Sequence, residues 1–221
     1  MMDRKKLLLL YNPSAGRAQT SRNLDMLLQK FCTGGCETTV YPILDGLNAE
    51  DILAGAESAG YDIVVCCGGD GTLHHTVNGL LRLEQPPLLG YIPSGSTNDF
   101  AASLGLPKTP EDAADAVVNG RPHAIDAGDF GGELFCYVAA FGAFSAVSYE
   151  TPQNMKNAMG HLAYIIEGVK RLPIGEKYPA RVEVGDRVFE EEFLFCSISN
   201  TTSIGGFSLD KSVEATLDDG E

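Results

Sequence analysis

The chain has 221 residues, and its 16 Lys and Arg residues are outnumbered by 30 Asp and Glu residues, which gives a net charge of −14. This balance excludes nucleic acid as a partner held by a general positive field. Neither a secretory signal pattern nor a run of about 18 apolar residues, the length of a membrane-spanning helix, occurs. The six cysteines are scattered, which favours a reduced, cytoplasmic protein over a disulfide framework.

The first 120 residues alternate between short apolar runs and amphipathic segments. The pattern predicts strands at residues 6–11, 38–43, 63–67 and 88–92. It predicts helices at residues 21–31, from residue 48, at 72–83, from near residue 97 and at 109–119. Apolar strands separated by amphipathic helices are typical of a parallel sheet covered on both faces. We therefore predict an α/β domain over residues 1–122.

After about residue 121 the pattern changes to strands and turns. Strands are predicted at residues 124–130, 134–141, 181–184 and 188–198. The turns Gly131-Gly132 and Gly185-Asp186 make them two antiparallel hairpins, and an amphipathic helix is predicted between these at residues 157–171. The chain ends on a turn pattern, with too few strands to close a sandwich. We expect residues 123–221 to form an incomplete antiparallel β-sandwich domain, truncated at its C-terminus, in a fragment of a longer protein.

Three glycine-bearing loops follow predicted parallel strands, at residues 12–17, 68–72 and 93–99. The carboxyl ends of parallel strands form the ligand crevice of an open α/β sheet, so the three loops are expected to converge. Glycines let main-chain N–H groups approach an anion, and a helix that begins after such a loop points its positive end at the anion. The loops therefore predict a site for a phosphate-rich ligand.

These loops lack the spacing of the usual nucleotide-binding motifs, because neither Gly-x-x-x-x-Gly-Lys-Ser/Thr nor Gly-x-Gly-x-x-Gly fits them. Each of the last two loops contains a carboxylate instead, Asp70 in one and Asp99 in the other. A carboxylate is repelled by phosphate unless a cation or a hydroxyl proton lies between them. Asp70 and Asp99 therefore predict Mg²⁺ coordination or orientation of a nucleophile.

The loop motifs extend into a longer set, which includes Asn12-Pro13-x-x-Gly16, Gly68-Gly69-Asp70-Gly71-Thr72-Leu73, Val77-Asn78-Gly79 and Pro93-x-Gly95-x-x-Asn98-Asp99-Phe100. This set resembles the catalytic domain of the diacylglycerol kinases, most closely the soluble bacterial diacylglycerol kinases and related lipid kinases. Residues 147–152, 205–207 and 217–220 are similar to that bacterial subgroup too, so the resemblance covers essentially the whole chain. Gly-Gly-Asp-Gly alone is shared with NAD kinases, whereas residues 148–152 fit the lipid kinases.

The resemblance implies an ATP- and Mg²⁺-dependent lipid kinase of phospholipid biosynthesis, which transfers a γ-phosphoryl group to a hydroxyl of diacylglycerol or a related lipid. It implies that Asp70 and Asp99 are catalytic. The implied ATP site comprises Asn12, Pro13, Ser14, Ala15, Gly16, Gly69, Asp70, Gly71, Thr72 and Ser96. A structural Mg²⁺ is implied at Thr216, Asp219 and Glu221. The family further implies a cytoplasmic homodimer that meets its lipid substrate transiently at a membrane surface.

The chain departs from the family pattern in three places. His74-His75 stands where the family usually has Asn-Glu, and Ile43 replaces a threonine that contacts ATP. Adjacent helix residues point about 100° apart, so we predict two surface histidines without a shared ligand. The family's general base lies in an Asp-Gly-Glu motif beyond residue 221, so residues 1–221 alone are expected to be inactive. An NAD kinase-like enzyme and a nucleotide-binding module without catalysis remain as alternatives.

Overall fold

The computed structural model describes residues 4–15, 19–44, 46–142, 177–201, 203–204, 207–208 and 217–218. The chain divides into two compact units, one made of residues 1–137 and 200–221 and the other of residues 138–199. The boundary predicted at residue 122 marks a change of secondary structure, whereas these units are defined by packing. That boundary therefore stays a prediction.

The first unit contains a four-stranded parallel sheet with the strand order β2-β1-β3-β4. Its strands are β1 (Lys5–Tyr11), β2 (Cys36–Pro42), β3 (Ile63–Gly68) and β4 (Leu88–Pro93). The helices described in this unit are α1 (Gln19–Thr33), α2 (Ala49–Ala56), α3 (Asp70–Leu81), α4 (Asp99–Ser103) and α5 (Pro110–Asn119). The predicted α/β architecture is confirmed. Among the described residues, no helix is both long enough and apolar enough to cross a membrane.

The central strand β1 explains why the sheet is covered on both faces. Its four consecutive leucines are all buried. Side chains alternate across a strand, so Leu7 and Leu9 pack in a cluster with α1 and α5, while Leu8 and Leu10 pack in a cluster with α2. Burying one leucine side chain contributes about 1.5–3 kcal/mol. The run of leucines therefore fixes the sheet between two helical layers.

Two antiparallel strand pairs complete the described part of the first unit. They are β5 (Gly128–Phe130) with β6 (Glu133–Phe135), and β11 (Ser203–Ile204) with β12 (Phe207–Ser208). The β5–β6 turn is the predicted one, and both of its glycines have positive φ. The prediction of a strand from residue 124 is wrong, because the Asp126 main chain bonds to irregular segments instead. Its N–H donates to Leu217 O at 2.7 Å, and its carbonyl accepts from Asn200 Nδ2 at 2.9 Å.

The described part of the second unit is antiparallel. It contains β7 (Val138–Gly142), β8 (Tyr178–Val184), β9 (Arg187–Phe193) and β10 (Phe195–Ser199). The predicted hairpin around Gly185 is confirmed as β8–β9. The strands predicted over residues 134–141 and 188–198 are each two strands, because hydrogen-bond partners change within the runs and β7 pairs with β10. The helix predicted at residues 157–171 lies outside the described residues.

All six cysteines are free thiols, so the prediction against a disulfide framework is confirmed. Cys66 and Cys67 at the end of β3 are buried, and burial raises the pKa of each thiol to about 12. Burial likewise raises the pKa of Cys136 to about 11. These thiols behave as small apolar side chains, because the thiolate needed for reactivity is suppressed.

Candidate active site

The glycine loops lie at the carboxyl edge of the parallel sheet. We call residues 12–17 loop 1, residues 68–72 loop 2 and residues 93–99 loop 3. Loop 1 follows β1, loop 2 follows β3 and loop 3 follows β4. The chain leaves β1 towards β2 and then returns to β3 on the other side of β1, so the topological switch point lies between β1 and β3. Open α/β sheets bind their ligands at this point.

Asn12 joins loop 1 to loop 2. Its main-chain N–H donates to Cys67 O at 2.9 Å, and its side-chain Nδ2 donates to Thr72 Oγ1 at 3.2 Å. Its Oδ1 accepts a hydrogen bond from Ser14 N at 2.9 Å, which closes a turn within loop 1. The amide of Asn12 is therefore engaged in holding loop 1 against the first turn of α3.

Loops 2 and 3 are in direct main-chain contact. Ser94 N donates to Gly68 O at 2.8 Å. A Cβ atom at Gly95 would lie 2.5 Å from the Cα atom of Gly69, closer than real Cβ contacts come. The two loops can approach this closely because both positions are glycine. Together with the Asn12 contacts, this confirms the predicted convergence of the three loops.

Asp70, the first residue of α3, points its carboxylate at the first turn of α4. Its Oδ2 accepts from Asp99 N at 3.3 Å and its Oδ1 accepts from Phe100 N at 3.4 Å. Burial raises the pKa of Asp70; the bond from Phe100 N opposes this rise, and the nearby Asp99 carboxylate adds to it. Asp99 is itself 4% exposed. The structure thus brings together the two carboxylates that the sequence predicts.

The first turn of α3 offers main-chain donors to a phosphate. The first N–H groups of a helix have no partner within the helix, and those at a glycine-rich turn bind phosphate groups well. Gly69 at the N-cap supplies no side-chain cap, and a Cβ at Gly71 would meet nothing within 4 Å. The open space and uncapped turn fit a ligand that carries phosphates.

The other predicted ATP-site residues lie around this turn or outside the described range. Pro13 and Ser14 form the turn of loop 1, Ala15 is buried, and Ser96 is exposed in loop 3. Gly16 lies outside the described residues. The residues of the predicted structural Mg²⁺ site, Thr216, Asp219 and Glu221, also lie outside them, so both assignments stay predictions.

Asp70 and Asp99 alone supply too few ligands for a divalent cation, so other groups would have to complete its coordination. Among the described residues, no group of three or more His, Cys, Asp or Glu side chains could hold a metal. Mg²⁺ is commonly bound by one or two carboxylates together with substrate phosphates and waters. The pair of aspartates therefore fits Mg²⁺ in company with a bound nucleotide, and it does not form a complete protein cage.

The two adjacent histidines contact different partners, as their helical spacing predicts. His75 Nδ1 lies 2.9 Å from Glu50 Oε1, whereas His74 Nε2 lies 3.9 Å from Glu133 Oε2. Burial lowers the pKa of His74, and the neighbouring His75 lowers it further. Ile43 packs against the core cluster on the α2 side of the sheet.

Sequence reasoning assigned no role to two asparagines of the motifs. Asn78 is 4% exposed, and its amide donates to Leu134 O at 2.8 Å and accepts from Leu134 N at 2.9 Å, which ties α3 to β6. Asn98 is the one non-glycine residue with positive φ in the described part of the chain. Asparagine is enriched in this left-handed region, so an asparagine in a glycine-rich loop is the sequence feature that could have indicated this turn.

The sheet order and the converging loops define an open α/β domain whose ligand crevice lies at the switch point. The family model for the diacylglycerol kinase catalytic domain matches residues 6–130, a range that contains all three loops. The chain belongs to the diacylglycerol kinase catalytic family, as its motifs indicate. This membership supports a lipid kinase as its functional class.

Curated relatives agree with this assignment, and a solved structure agrees with the fold. The diacylglycerol kinase of Bacillus subtilis is 35% identical over 219 residues, which make up 98% of this chain and 71% of the relative. The diacylglycerol kinase of Staphylococcus saprophyticus is 36% identical over 218 residues, with the same two shares. A crystal structure of a diacylglycerol kinase from Bacillus anthracis superposes with a TM-score of 0.72 at 23% identity. The superposition covers 94% of this chain and 68% of the Bacillus anthracis chain, and it supports the fold assignment.

Proposed function

We propose that this protein transfers the γ-phosphoryl group of ATP, with Mg²⁺, to a hydroxyl of diacylglycerol or a related lipid. The observation that carries the proposal is the convergence of loops 1, 2 and 3 around the half-buried carboxylate of Asp70. Phosphoryl transfer is catalysed chiefly by positioning and electrostatic stabilisation. A cluster of main-chain donors beside two carboxylates supplies both, and the family membership selects a lipid as the acceptor.

The nucleotide phosphates are assigned to main-chain N–H groups at the first turn of α3, beside Gly69, Gly71 and Thr72. Asn12 contributes through its bond to Thr72, because this bond fixes loop 1 beside the same turn. Ser96 lies on the third loop, on the exposed side. Main-chain N–H groups of the converging loops would then bind the phosphates, as main-chain nests bind anions.

The carboxylates are assigned to the cation and the acceptor. Bound Mg²⁺ supplies charge neutralisation at the phosphate oxygens, and Asp70 and Asp99 are the residues that would hold it. The main-chain bonds from Asp99 and Phe100 fix the orientation of the Asp70 carboxylate. These two bonds suit the carboxylate to orient either the cation or the acceptor hydroxyl. The family resemblance supports a second, structural Mg²⁺ at Thr216, Asp219 and Glu221.

We extend the proposal to the setting of the reaction. Diacylglycerol partitions into bilayers, so the acceptor is expected to reach the site at a membrane surface during a transient encounter. A cytoplasmic homodimer is the form that the family resemblance supports. Vesicle flotation and light scattering of the full-length protein test these two points separately from catalysis.

The decisive experiment compares acceptors with radiolabelled ATP and the full-length protein. We expect label in a phosphorylated lipid when diacylglycerol is supplied in mixed micelles, and calorimetry is expected to detect binding of Mg-ATP. Label in NAD alone would instead establish the NAD kinase alternative. ATP binding without transfer to diacylglycerol, a sphingoid base or NAD would reduce the protein to a binding module. The absence of ATP binding by a folded protein would overturn the proposal.

A further inference from the structure

We propose that Asn98 is a positioning residue of this site, whose side-chain amide clamps Gly95 and so holds loop 3 against loop 2 and Asp70. The inference rests on the proposed function for its kinetic consequence. Its structural part depends only on the contacts of residues 91–100. Asn98 is not expected to touch the nucleotide or the lipid itself.

The clamp consists of two hydrogen bonds to one residue. Asn98 Oδ1 accepts from Gly95 N at 2.8 Å, and Asn98 Nδ2 donates to Gly95 O at 3.0 Å. The side-chain amide thus pairs with both main-chain groups of Gly95, as a neighbouring strand would. Two bonds to one residue fix its orientation as well as its distance. Gly95 is the residue whose Cα faces Gly69, so the clamp sets the spacing between loops 2 and 3.

The backbone of Asn98 turns the chain into α4. Its φ of 55° and ψ of 50° are left-handed, and it is the N-cap of α4. This conformation is unfavourable for most residues with a Cβ, and asparagine is among the few types that adopt it. The turn aims the N–H groups of Asp99 and Phe100 at the Asp70 carboxylate. Asn98 therefore links the conformation of loop 3 to the orientation of Asp70.

The clamp has support from the sheet below it. Tyr91 of β4 is 8% exposed, and its hydroxyl donates to Asn98 Oδ1 at 3.4 Å. Burial raises the pKa of Tyr91, so the hydroxyl stays protonated and remains a donor. Its ring also packs beside that of Phe100, with centroids 6.2 Å apart. A chain of contacts thus runs from β4 through Asn98 and Gly95 to loop 2.

Asn98→Gly removes the side-chain clamp and keeps the left-handed backbone turn. Glycine adopts the left-handed conformation freely, so the melting temperature is expected to stay within a few degrees of wild type. Because the orientation of Asp70 is no longer fixed, we expect kcat of the full-length protein to fall about 10- to 100-fold while its KM for ATP changes less than about twofold. The amides of Gly95 and Phe100 are expected to exchange hydrogen faster, independently of any activity.

Thr109→Ala is the matched control. Its Oγ1 accepts from Asp112 N at 3.1 Å at the start of α5, so this variant loses one side-chain bond to the main chain, where Asn98→Gly loses two. It is expected to lower the melting temperature and to leave kcat unchanged. Tyr91→Phe removes only the hydroxyl below the clamp, and a smaller fall in kcat is expected. This second variant tests the inference even if Asn98→Gly does not fold.

Wild-type kcat together with unchanged exchange at Gly95 in Asn98→Gly would overturn the inference. A parallel loss of ATP affinity, kcat and melting temperature would overturn it too, because that pattern describes general loosening of the fold. If the wild-type protein transfers no phosphoryl group to lipid, the proposed function fails. In that case the exchange rates of Gly95 and Phe100 still decide whether the clamp exists.

Discussion

At the scale of single residues, the Asp70 carboxylate serves the proposed function and lowers the stability of the fold. Burial raises the pKa of its carboxyl group in the folded protein. A folded-state pKa above the unfolded value means that the folded state binds the proton more tightly. Stability from this group is therefore present below the unfolded pKa and is lost as the pH rises through the folded pKa. The ionised Asp70 is a cost to the fold, and its benefit lies in the site.

We predict that Asp70→Asn in the full-length protein lowers lipid kinase activity about 10²- to 10³-fold, the usual effect of losing one electrostatic contact at a transition state. The melting temperature at pH 7 is expected to stay level or rise, because the neutral amide removes a half-buried charge, although its Nδ2 cannot accept one of the two main-chain bonds. This gain should shrink as the pH falls, since wild-type Asp70 then becomes protonated. Initial rates and thermal melts across a pH series measure both effects.

Asp25→Asn provides the control for this change. Asp25 is exposed on α1 and accepts a hydrogen bond from Gln29 Nε2 at 2.9 Å. The same substitution there should alter neither activity nor melting temperature. Activity of Asp70→Asn within about threefold of wild type would remove Asp70 from the mechanism, given the expected size of the effect.

Sequence reasoning found Asp70 and Asp99 because carboxylates in glycine loops are unusual beside a phosphate site. It did not find the roles of Asn98 and Asn78, although both stand in the motifs. Asn78 acts through a side-chain bond to a residue that is distant in sequence, and Asn98 acts through a side-chain bond to the main chain of its own tight turn. Such a bond depends on backbone geometry, which residue spacing does not encode.

At the scale of elements, α3 is fixed from two sides, and this fixes the direction of its first turn. On one side Asn78 bonds to Leu134 of β6. On the other side Gly79 lets α2 approach closely, because a Cβ there would lie 2.8 Å from Leu53 Cδ1 and 3.0 Å from Glu50 Cα. Since Asp70 begins the same helix, packing near the end of α3 bears on the geometry of the site.

We predict opposite effects for two glycine substitutions in these helices. Gly79→Ala should destabilise the protein by about 1–3 kcal/mol, as overpacking does, although alanine favours a helix. Gly55→Ala in α2 should stabilise it by about 0.5–1 kcal/mol, because a Cβ there meets nothing within 4 Å and alanine is the better helix former. Urea unfolding of both variants gives the comparison. Equal stability of the two would contradict the close packing of α2 and α3.

Element boundaries in the α/β region could be predicted because each strand and helix has its own periodicity. Helix α5 begins at Pro110 after the Thr109 cap, as its sequence indicates. The breaks between β6 and β7 and between β9 and β10 could not be predicted. Apolar residues continue through both breaks while the hydrogen-bond partner changes, and partner choice is a property of the whole fold.

At the scale of the whole molecule, the reactivity of the cysteines measures whether the first unit is folded. Cys32 is exposed on α1, whereas Cys66, Cys67 and Cys136 are buried. Burial raises the pKa of the last three to about 12, 12 and 11. A thiol reagent therefore reaches Cys32 in the folded protein and the buried thiols only after the unit opens.

We predict that nucleotide binding protects the buried thiols and leaves Cys32 unprotected. A ligand that binds only the folded state adds about 2.7 kcal/mol of stability at 100 times its dissociation constant. Labelling that requires opening of the unit should then slow about 100-fold, provided that opening is fast relative to labelling. Mass spectrometry of Cys66, Cys67 and Cys136 after pulsed labelling with and without Mg-ATP measures this effect, and Cys32 is the internal control. Unchanged labelling of the buried thiols at saturating Mg-ATP would mean that the nucleotide does not bind the folded first unit, and loops 1, 2 and 3 would lose their assigned ligand.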